Sequence, residues 1–336
     1  MTRQQAISLE RRIERIWYDD SVVAFLLLPF SWLFHLVVSL RRAAYRRGIF
    51  ASENCGVPVI VVGNLTVGGA GKTPLVGWIA NQLAADGCKV GVLSRGYGGA
   101  ELREPRLVTA DSRAAEVGDE AILLMRQTKA SVCVCPDRVA GARQLIDAVG
   151  VNAIVCDDGL QHYRLERDLE VVVIDGGRGL GNGHLLPAGP LREPRSRLRE
   201  VDLVFYNGEA IAAGHSYTLR PGRVRGLGQV ADRDIESFRG QRVWAVAGIG
   251  NPQRFVTTLR DAGMDPQLVD VPDHGVVELG ALRREQSWPI LMTEKDAVKY
   301  LGSAIDDVWY VPVEVMMSSA DAAALMGRIR ELYVKA

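Results

Sequence analysis

Short apolar runs alternate along this chain with stretches of helical spacing. Residues 57–62, Val-Pro-Val-Ile-Val-Val, are apolar, rich in β-branched side chains and closed by Gly63. A strand buried on both faces of a parallel sheet has this pattern. Similar runs predict strands over residues 89–93, 131–135, 153–156, 170–174 and 201–205. Between them, Leu75, Ile79 and Leu83 fall on one helical face and predict a helix over 74–86, stopped by Gly87. Further helices are expected over 119–127 and 137–148. Strands alternating with helices make a doubly wound, mostly parallel α/β sheet, whose ligands sit at the carboxyl ends of the strands.

Residues 208–232 lose this periodicity and contain Arg220-Pro221-Gly222-Arg223, the composition of a linker. The pattern restarts with a strand over 242–247, a helix over 252–262, strands over 288–292 and 308–313, and a closing helix over 320–333. The expected organisation is therefore an N-terminal segment 1–48, a core 49–207 of the P-loop NTPase type, a linker 208–232 and a smaller α/β domain 233–336.

The N-terminal segment is mostly apolar over residues 21–40, long enough to cross a bilayer, yet it includes Pro29, His35 and three serines. Arg41, Arg42, Arg46 and Arg47 follow it, a basic cluster suited to the cytoplasmic side of anionic headgroups. A helix lying in the membrane interface ranks first, a true span second, and a buried core helix third.

Composition narrows the picture. At 336 residues the chain exceeds one ordinary core, and 40 basic against 40 acidic residues cancel. Charge thus nominates no nucleic acid or other polyanionic partner. Five cysteines without paired CxxC spacing argue for a reducing compartment, and Cys133 and Cys135 read as core-strand residues.

The sharpest chemistry lies at Thr66-Val67-Gly68-Gly69-Ala70-Gly71-Lys72-Thr73. A glycine-rich turn between a strand and a helix exposes backbone N–H groups to phosphates, a lysine reaches the β- and γ-phosphates, and a threonine hydroxyl meets Mg²⁺. Lys72 and Thr73 fill those last two roles for ATP. Thr66 stands where the usual first glycine would be, and Gly68 and Gly69 replace its freedom, as in the two-glycine variant of dethiobiotin-synthetase-like and partitioning ATPases. A chance Gly-Lys-Thr turn is the bland alternative, and the strand-to-helix context argues against it.

Asp157 and Asp158 follow the run 153–156, so they project from a strand end and suit Mg²⁺ bound to nucleotide. One of them could instead cap the turn at Gly159. Gln161 and His162 are placed to position substrate. Asp119 and Glu120 open a helix after Gly118, where carboxylates are favoured for structural reasons alone, so spacing does not separate catalysis from capping. Asp175 reads as a turn residue. Arg138 opens the next helix and either clamps phosphate or is solvated; Arg192, Arg195, Arg197 and Arg199 lie in and beyond a glycine- and proline-rich loop attractive to anions.

Several strings together resemble the tetraacyldisaccharide 4'-kinase family of Gram-negative bacteria. They are residues 62–74, Leu93-Ser94-Arg95-Gly96-Tyr97-Gly98, Val117-Gly118-Asp119-Glu120, Asp157-Asp158-Gly159-Leu160-Gln161-His162, residues 185–194, and Thr293-Glu294-Lys295-Asp296-Ala297-Val298-Lys299. The resemblance implies transfer of the ATP γ-phosphate to the 4'-hydroxyl of a lipid A disaccharide precursor at the cytoplasmic face of the inner membrane, by a peripheral or monotopic enzyme with no known protein partner. It also implies that Asp119 pairs with His274 of the second domain to activate the hydroxyl. Glu120 then joins Asp157, Asp158 and Thr73 around Mg²⁺, and Arg138 or Arg192 steadies phosphate oxygens. Gly275 stands where many members carry a second histidine. A membrane-bound P-loop switch of the partitioning type is the competing reading.

Overall fold

The computed structural model describes residues 12–19, 21–212, 214–228, 231–269, 271, 275–301 and 305–334. In chain order the strands are β1 (Val59–Gly63), β2 (Val90–Ser94), β3 (Arg106–Leu107), β4 (Ser131–Val134), β5 (Ala153–Asp157), β6 (Leu169–Asp175), β7 (Leu203–Asn207), β8 (His215–Pro221), β9 (Arg225–Gly226), β10 (Arg242–Val246), β11 (Asp265–Val269), β12 (Ile290–Thr293), β13 (Val308–Val311) and β14 (Val313–Met317).

They form two sheets. The larger has nine strands in the order β14-β8-β7-β6-β1-β5-β2-β4-β3, and the smaller five in the order β11-β10-β12-β13-β9. In the larger sheet β1 lies at the centre, parallel to β5 on one side and β6 on the other. Every residue of β1 is buried. Its side chains alternate between faces: Ile60 and Val62 pack under the helix Lys72–Ala85 with Leu75, Val76 and Ile79, whereas Val59 and Val61 pack under the helix Arg138–Val149 with Val139 and Leu145. Covering both faces is what makes the strand read as a continuous apolar run.

The N-terminal helix Val22–Arg46 is capped by the Ser21 hydroxyl and lies along the second of these faces. Ser31 is buried and donates to the Leu185 carbonyl at 2.8 Å, and Phe34 packs into the core beside Leu185 and Leu191. Arg42 pairs with Glu200 near its end. The opposite face displays Phe25, Leu26, Phe30, Trp32, Leu33, Leu36, Val37 and Leu40.

The expected linker carries strands, and the closing helix forms where it is expected but packs on the first sheet. Within residues 208–232, β8 extends the larger sheet beside β7 and β9 closes the smaller one. The apolar run 308–313 is divided at Pro312 between β13 of the smaller sheet and β14 of the larger. Proline donates no ladder hydrogen bond, so the break falls there. The helix Ser319–Val334 then buries Leu325, Met326 and Ile329 in the same core as Ile79. The second unit is thus an insertion between two strands of the first sheet. β11 escaped the periodicity because Asp265 and Pro266 open it and its residues are only partly buried.

Candidate active site

Register brings the phosphate-binding turn and the paired aspartates together. β1 and β5 are neighbours with Val62 opposite Asp157, so residues 64–73 and 157–158 leave the same end of adjacent strands. In the turn, Gly68 has φ 102° and Gly71 φ 82°, conformations that favour glycine. A Cβ on Gly71 would also meet Asn207 Nδ2 at 2.1 Å. Gly71 caps the helix Lys72–Ala85 without any side-chain acceptor, so the first helical N–H groups are not capped from that position and face where an anion is favoured.

The turn is held on several sides. Asn64, fully buried, donates to the Gly68 carbonyl at 3.1 Å and to Thr66 Oγ1 at 3.4 Å, and accepts from Lys72 Nζ at 3.2 Å. The Val67 amide donates to the Pro190 carbonyl at 2.8 Å. Asn207 Nδ2 donates to the Ala70 carbonyl at 3.1 Å and the Tyr217 hydroxyl to the Gly71 carbonyl at 2.7 Å. Arg254 of the second unit holds the other end of the Asn207 amide at 2.9 Å.

The two aspartates occupy contrasting environments. Asp157 is buried and accepts from the Thr73 hydroxyl at 3.1 Å through Oδ2, while its Oδ1 has no hydrogen-bond partner among the described residues. Burial, together with the Glu120 and Asp158 charges, pushes its carboxyl up to about 7 against the pull of Lys72. Asp158 sits at φ 52°, a left-handed conformation aspartate tolerates better than most residues. Burial would raise its carboxyl too, but Lys72 Nζ at 3.5 Å and Arg192 Nη1 at 3.0 Å bring it down to about 2.

Gln161 bridges the constellation: its Oε1 accepts from Arg192 at 3.3 Å and its Nε2 donates to the Asn64 carbonyl at 3.2 Å. Arg192 is therefore a member of the site, anchored through its own amide to the Leu65 carbonyl at 2.7 Å. Arg138 is buried, spends its guanidinium on the Cys135 carbonyl at 2.8 Å and reaches the Asp157 carbonyl at 3.5 Å, so it braces the strand end from beneath. His162 lies beside it; burial and the Arg138 charge lower its imidazole to about 4, which keeps it neutral near pH 7. Arg197 is buried in an ion pair with Glu170 at 2.5 Å, away from the role of a loop arginine awaiting an anion.

The donor set suits Mg²⁺. The unpaired Asp157 Oδ1, the Thr73 hydroxyl and Asp158 are hard oxygen ligands on one patch. Mg²⁺ takes one or two carboxylates and fills its octahedron with water and phosphate oxygens. Among the described residues no group of three or more His, Cys, Asp or Glu is disposed to hold a metal ion.

Asp119 and Glu120 open the helix Asp119–Gln127 after Gly118, whose φ is 86°. The second unit docks on this helix through residues 293–299. Lys299 Nζ lies 3.4 Å from Asp119 Oδ2, Lys295 Nζ 3.2 Å from Glu120 Oε1, and Gln127 donates to Glu294 at 2.5 Å. Glu120 thus carries a lysine partner while its charge still reaches Asp157. His274 lies outside the described residues. Sequence reasoning gave no role to Asn64, Asn207 or Lys299. The polar Asn64 directly after an apolar strand and the two lysines of 293–299 were the available signals.

The sequence matches the family model LpxK, Tetraacyldisaccharide-1-P 4'-kinase, over residues 23–331. A tetraacyldisaccharide 4'-kinase of Methylobacillus flagellatus is 45% identical over 98% of this chain and 98% of its own length. One of Alkalilimnicola ehrlichii is 50% identical over 91% of this chain and 93% of its own. The crystal structure of LpxK from Aquifex aeolicus in complex with ATP superposes with a TM-score of 0.78 at 27% identity, covering 93% of this chain and 99% of that one.

Proposed function

The chain belongs to the tetraacyldisaccharide-1-phosphate 4'-kinase family, and on that premise we propose how its residues divide the work. The reaction is ATP-dependent phosphoryl transfer to an alcohol, the 4'-hydroxyl of the tetraacyldisaccharide 1-phosphate of lipid A biosynthesis. The observation that carries the assignment of roles is the meeting of two strand ends, with Thr73 on Asp157 at 3.1 Å and Lys72 beside Asp158 at 3.5 Å.

Phosphoryl transfer asks mainly for in-line placement and charge neutralisation. The amides of residues 68–73 cradle the phosphates, and Lys72 leaves its partners Asn64 and Asp158 to meet the β- and γ-phosphates. Thr73, Asp157 and Asp158 would hold Mg²⁺, with Glu120 alongside. When bound, Mg²⁺ neutralises charge on the phosphate oxygens. Asp119, helped by His274, takes the proton of the sugar hydroxyl. The hydroxyl oxygen forms a bond to the γ-phosphorus as the bond to the ADP oxygen breaks. Arg192 steadies phosphate oxygens, with Gln161 setting its position and Arg138 and His162 supporting the strand end below.

The exposed apolar face of the helix Val22–Arg46 seats the enzyme on the cytoplasmic face of the inner membrane, where the acylated acceptor resides. The competing partitioning-type switch finds no support in a family match spanning nearly the whole chain. Incubation with γ-labelled ATP and the disaccharide 1-phosphate should yield labelled lipid. Label appearing only as free phosphate, with no labelled lipid, would overturn the kinase reading.

A further inference from the structure

The segment 293–299 does more than join two units. Lys299 Nζ approaches three acceptors: Asp119 Oδ2 at 3.4 Å, Asp296 Oδ1 at 2.8 Å and the Gly275 carbonyl at 3.0 Å. Two of these are hydrogen bonds and the approach to Asp119 is an ion pair, so the ammonium is held from three directions. All three side chains are about 95% or more removed from solvent, at 5% exposure for Lys299, 4% for Asp119 and 1% for Asp296. Asp296 is itself fixed, its Oδ2 accepting from the Thr293 hydroxyl at 2.6 Å and the Gly248 amide at 2.9 Å. The lysine therefore projects from a rigid root, and its far end divides between a carboxylate of the first unit and a main-chain carbonyl of the second.

A buried charge costs more than an apolar contact of the same size, so glue alone does not call for this arrangement. We propose that Lys299 is the positioning residue for Asp119. Its ammonium fixes the direction of the carboxyl plane, and through the Gly275 carbonyl and Asp296 it ties that carboxyl to the second unit. The proposal rests on Asp119 being the base. It predicts that the acceptor proton is taken efficiently only while the 293–299 segment is docked.

The test uses the full chain dispersed in detergent, with K299M, D119N, the double variant, and Q127A. Gln127 makes a cross-unit hydrogen bond to Glu294 and stands outside the proposed chemistry, so Q127A removes one contact across the units while Lys299 and Lys295 keep the segment docked. K299M should lower kcat by about 10²-fold or more, as removal of a proton acceptor does, with KM for ATP within about threefold on the uniform-binding criterion. The double variant should be no slower than D119N, because residues acting as one unit are not additive. Q127A should keep kcat. Near-normal kcat in K299M beside an inactive D119N would overturn the proposal alone, as would multiplied losses in the double variant. Normal kcat in D119N would overturn the base assignment and this proposal with it. Should K299M fail to fold, K299R carries the test: its planar fork keeps the charge but moves the donors, so a wild-type kcat in K299R would also overturn positioning.

Discussion

Gly250 of the second unit rests against Gly69 of the phosphate-binding turn so closely that a Cβ on Gly250 would stand 2.7 Å from the Gly69 nitrogen. The obstacle is backbone, so neither side can rotate out of the way. The loop bearing Gly250 is tied at Gly248 to Asp296, hence to the segment that meets Asp119. Gly250→Ala should therefore displace the turn from its phosphates and lower kcat/KM for ATP by about 10²-fold, the scale of an ångström's misplacement. Gly228→Ala, with open space around it, should be silent. Equal kinetics for the two variants would show that the contact is incidental.

Arg197 supports a different property. It is buried between Glu170 at 2.5 Å and Glu193 at 3.5 Å, and Glu193 also receives the Tyr163 hydroxyl. Burial works against the guanidinium's charge, but its hydrogen bond to Glu170 and the two carboxylates hold it firmly protonated. Arg197→Met leaves Glu170 to Arg167 alone and takes away the ion-pair partner of the buried Glu193, and should cost about 3–5 kcal/mol of stability. A lower urea midpoint checks this; an unchanged midpoint would show that the carboxylates find other partners.

How much of this was legible in the chain depended on whether the signal was local. β1 is apolar because both its faces are covered, and Lys72 and Thr73 follow it directly, so strand, turn and helix could be read from one stretch. Asp157 could be placed because β5 has the same apolar character, although its adjacency to β1 comes only from the sheet order. Asn207 and Tyr217 close the turn from strands far along the chain, and no local pattern marks that contact. The ends of the second unit were misplaced for a related reason: Pro312 sits inside one apolar run, and the chain changes sheets there without a break in hydrophobicity. Lys299 is visible as one of two lysines in 293–299, but nothing local reveals that a lysine three residues beyond Asp296 reaches across to another unit.

The N-terminal helix divides its residues between two tasks. Phe30 and Leu33 are exposed on the outer face, whereas Phe34 packs toward Leu185 and Leu191. Glutamate at Phe30 and Leu33 should weaken partitioning to anionic vesicles by about tenfold or more, the worth of one large apolar side chain, without lowering Tm. Glutamate at Phe34 should lower Tm instead. Vesicle flotation beside thermal unfolding distinguishes them, and unaltered flotation of the double variant would remove this helix as the membrane contact.

Asp157 and Asp158 should give opposite signatures in pH. In the unfolded chain both carboxyls titrate near the usual aspartate value, about 4. In the folded enzyme without nucleotide, Asp157 is pushed up to about 7, so across that interval the folded state holds a proton the unfolded chain has lost. Stability must then fall as pH rises through the interval and level off above it. Asp158, brought down to about 2, contributes stability that is complete above the unfolded value and is lost as pH falls toward 2, so the two windows do not overlap. Asp157→Asn keeps an acceptor for Thr73 but cannot titrate. The Tm of Asp157→Asn should therefore gain on the wild type as pH rises from about 4 to about 7 and keep a constant lead beyond. Binding Mg²⁺ with ATP requires the ionised carboxylate, so below about pH 7 it should release close to one proton from the wild type and fewer from the variant. Calorimetry in buffers of different ionisation enthalpy measures that release. Parallel Tm curves and equal proton release would show that Asp157 is already ionised before the nucleotide arrives.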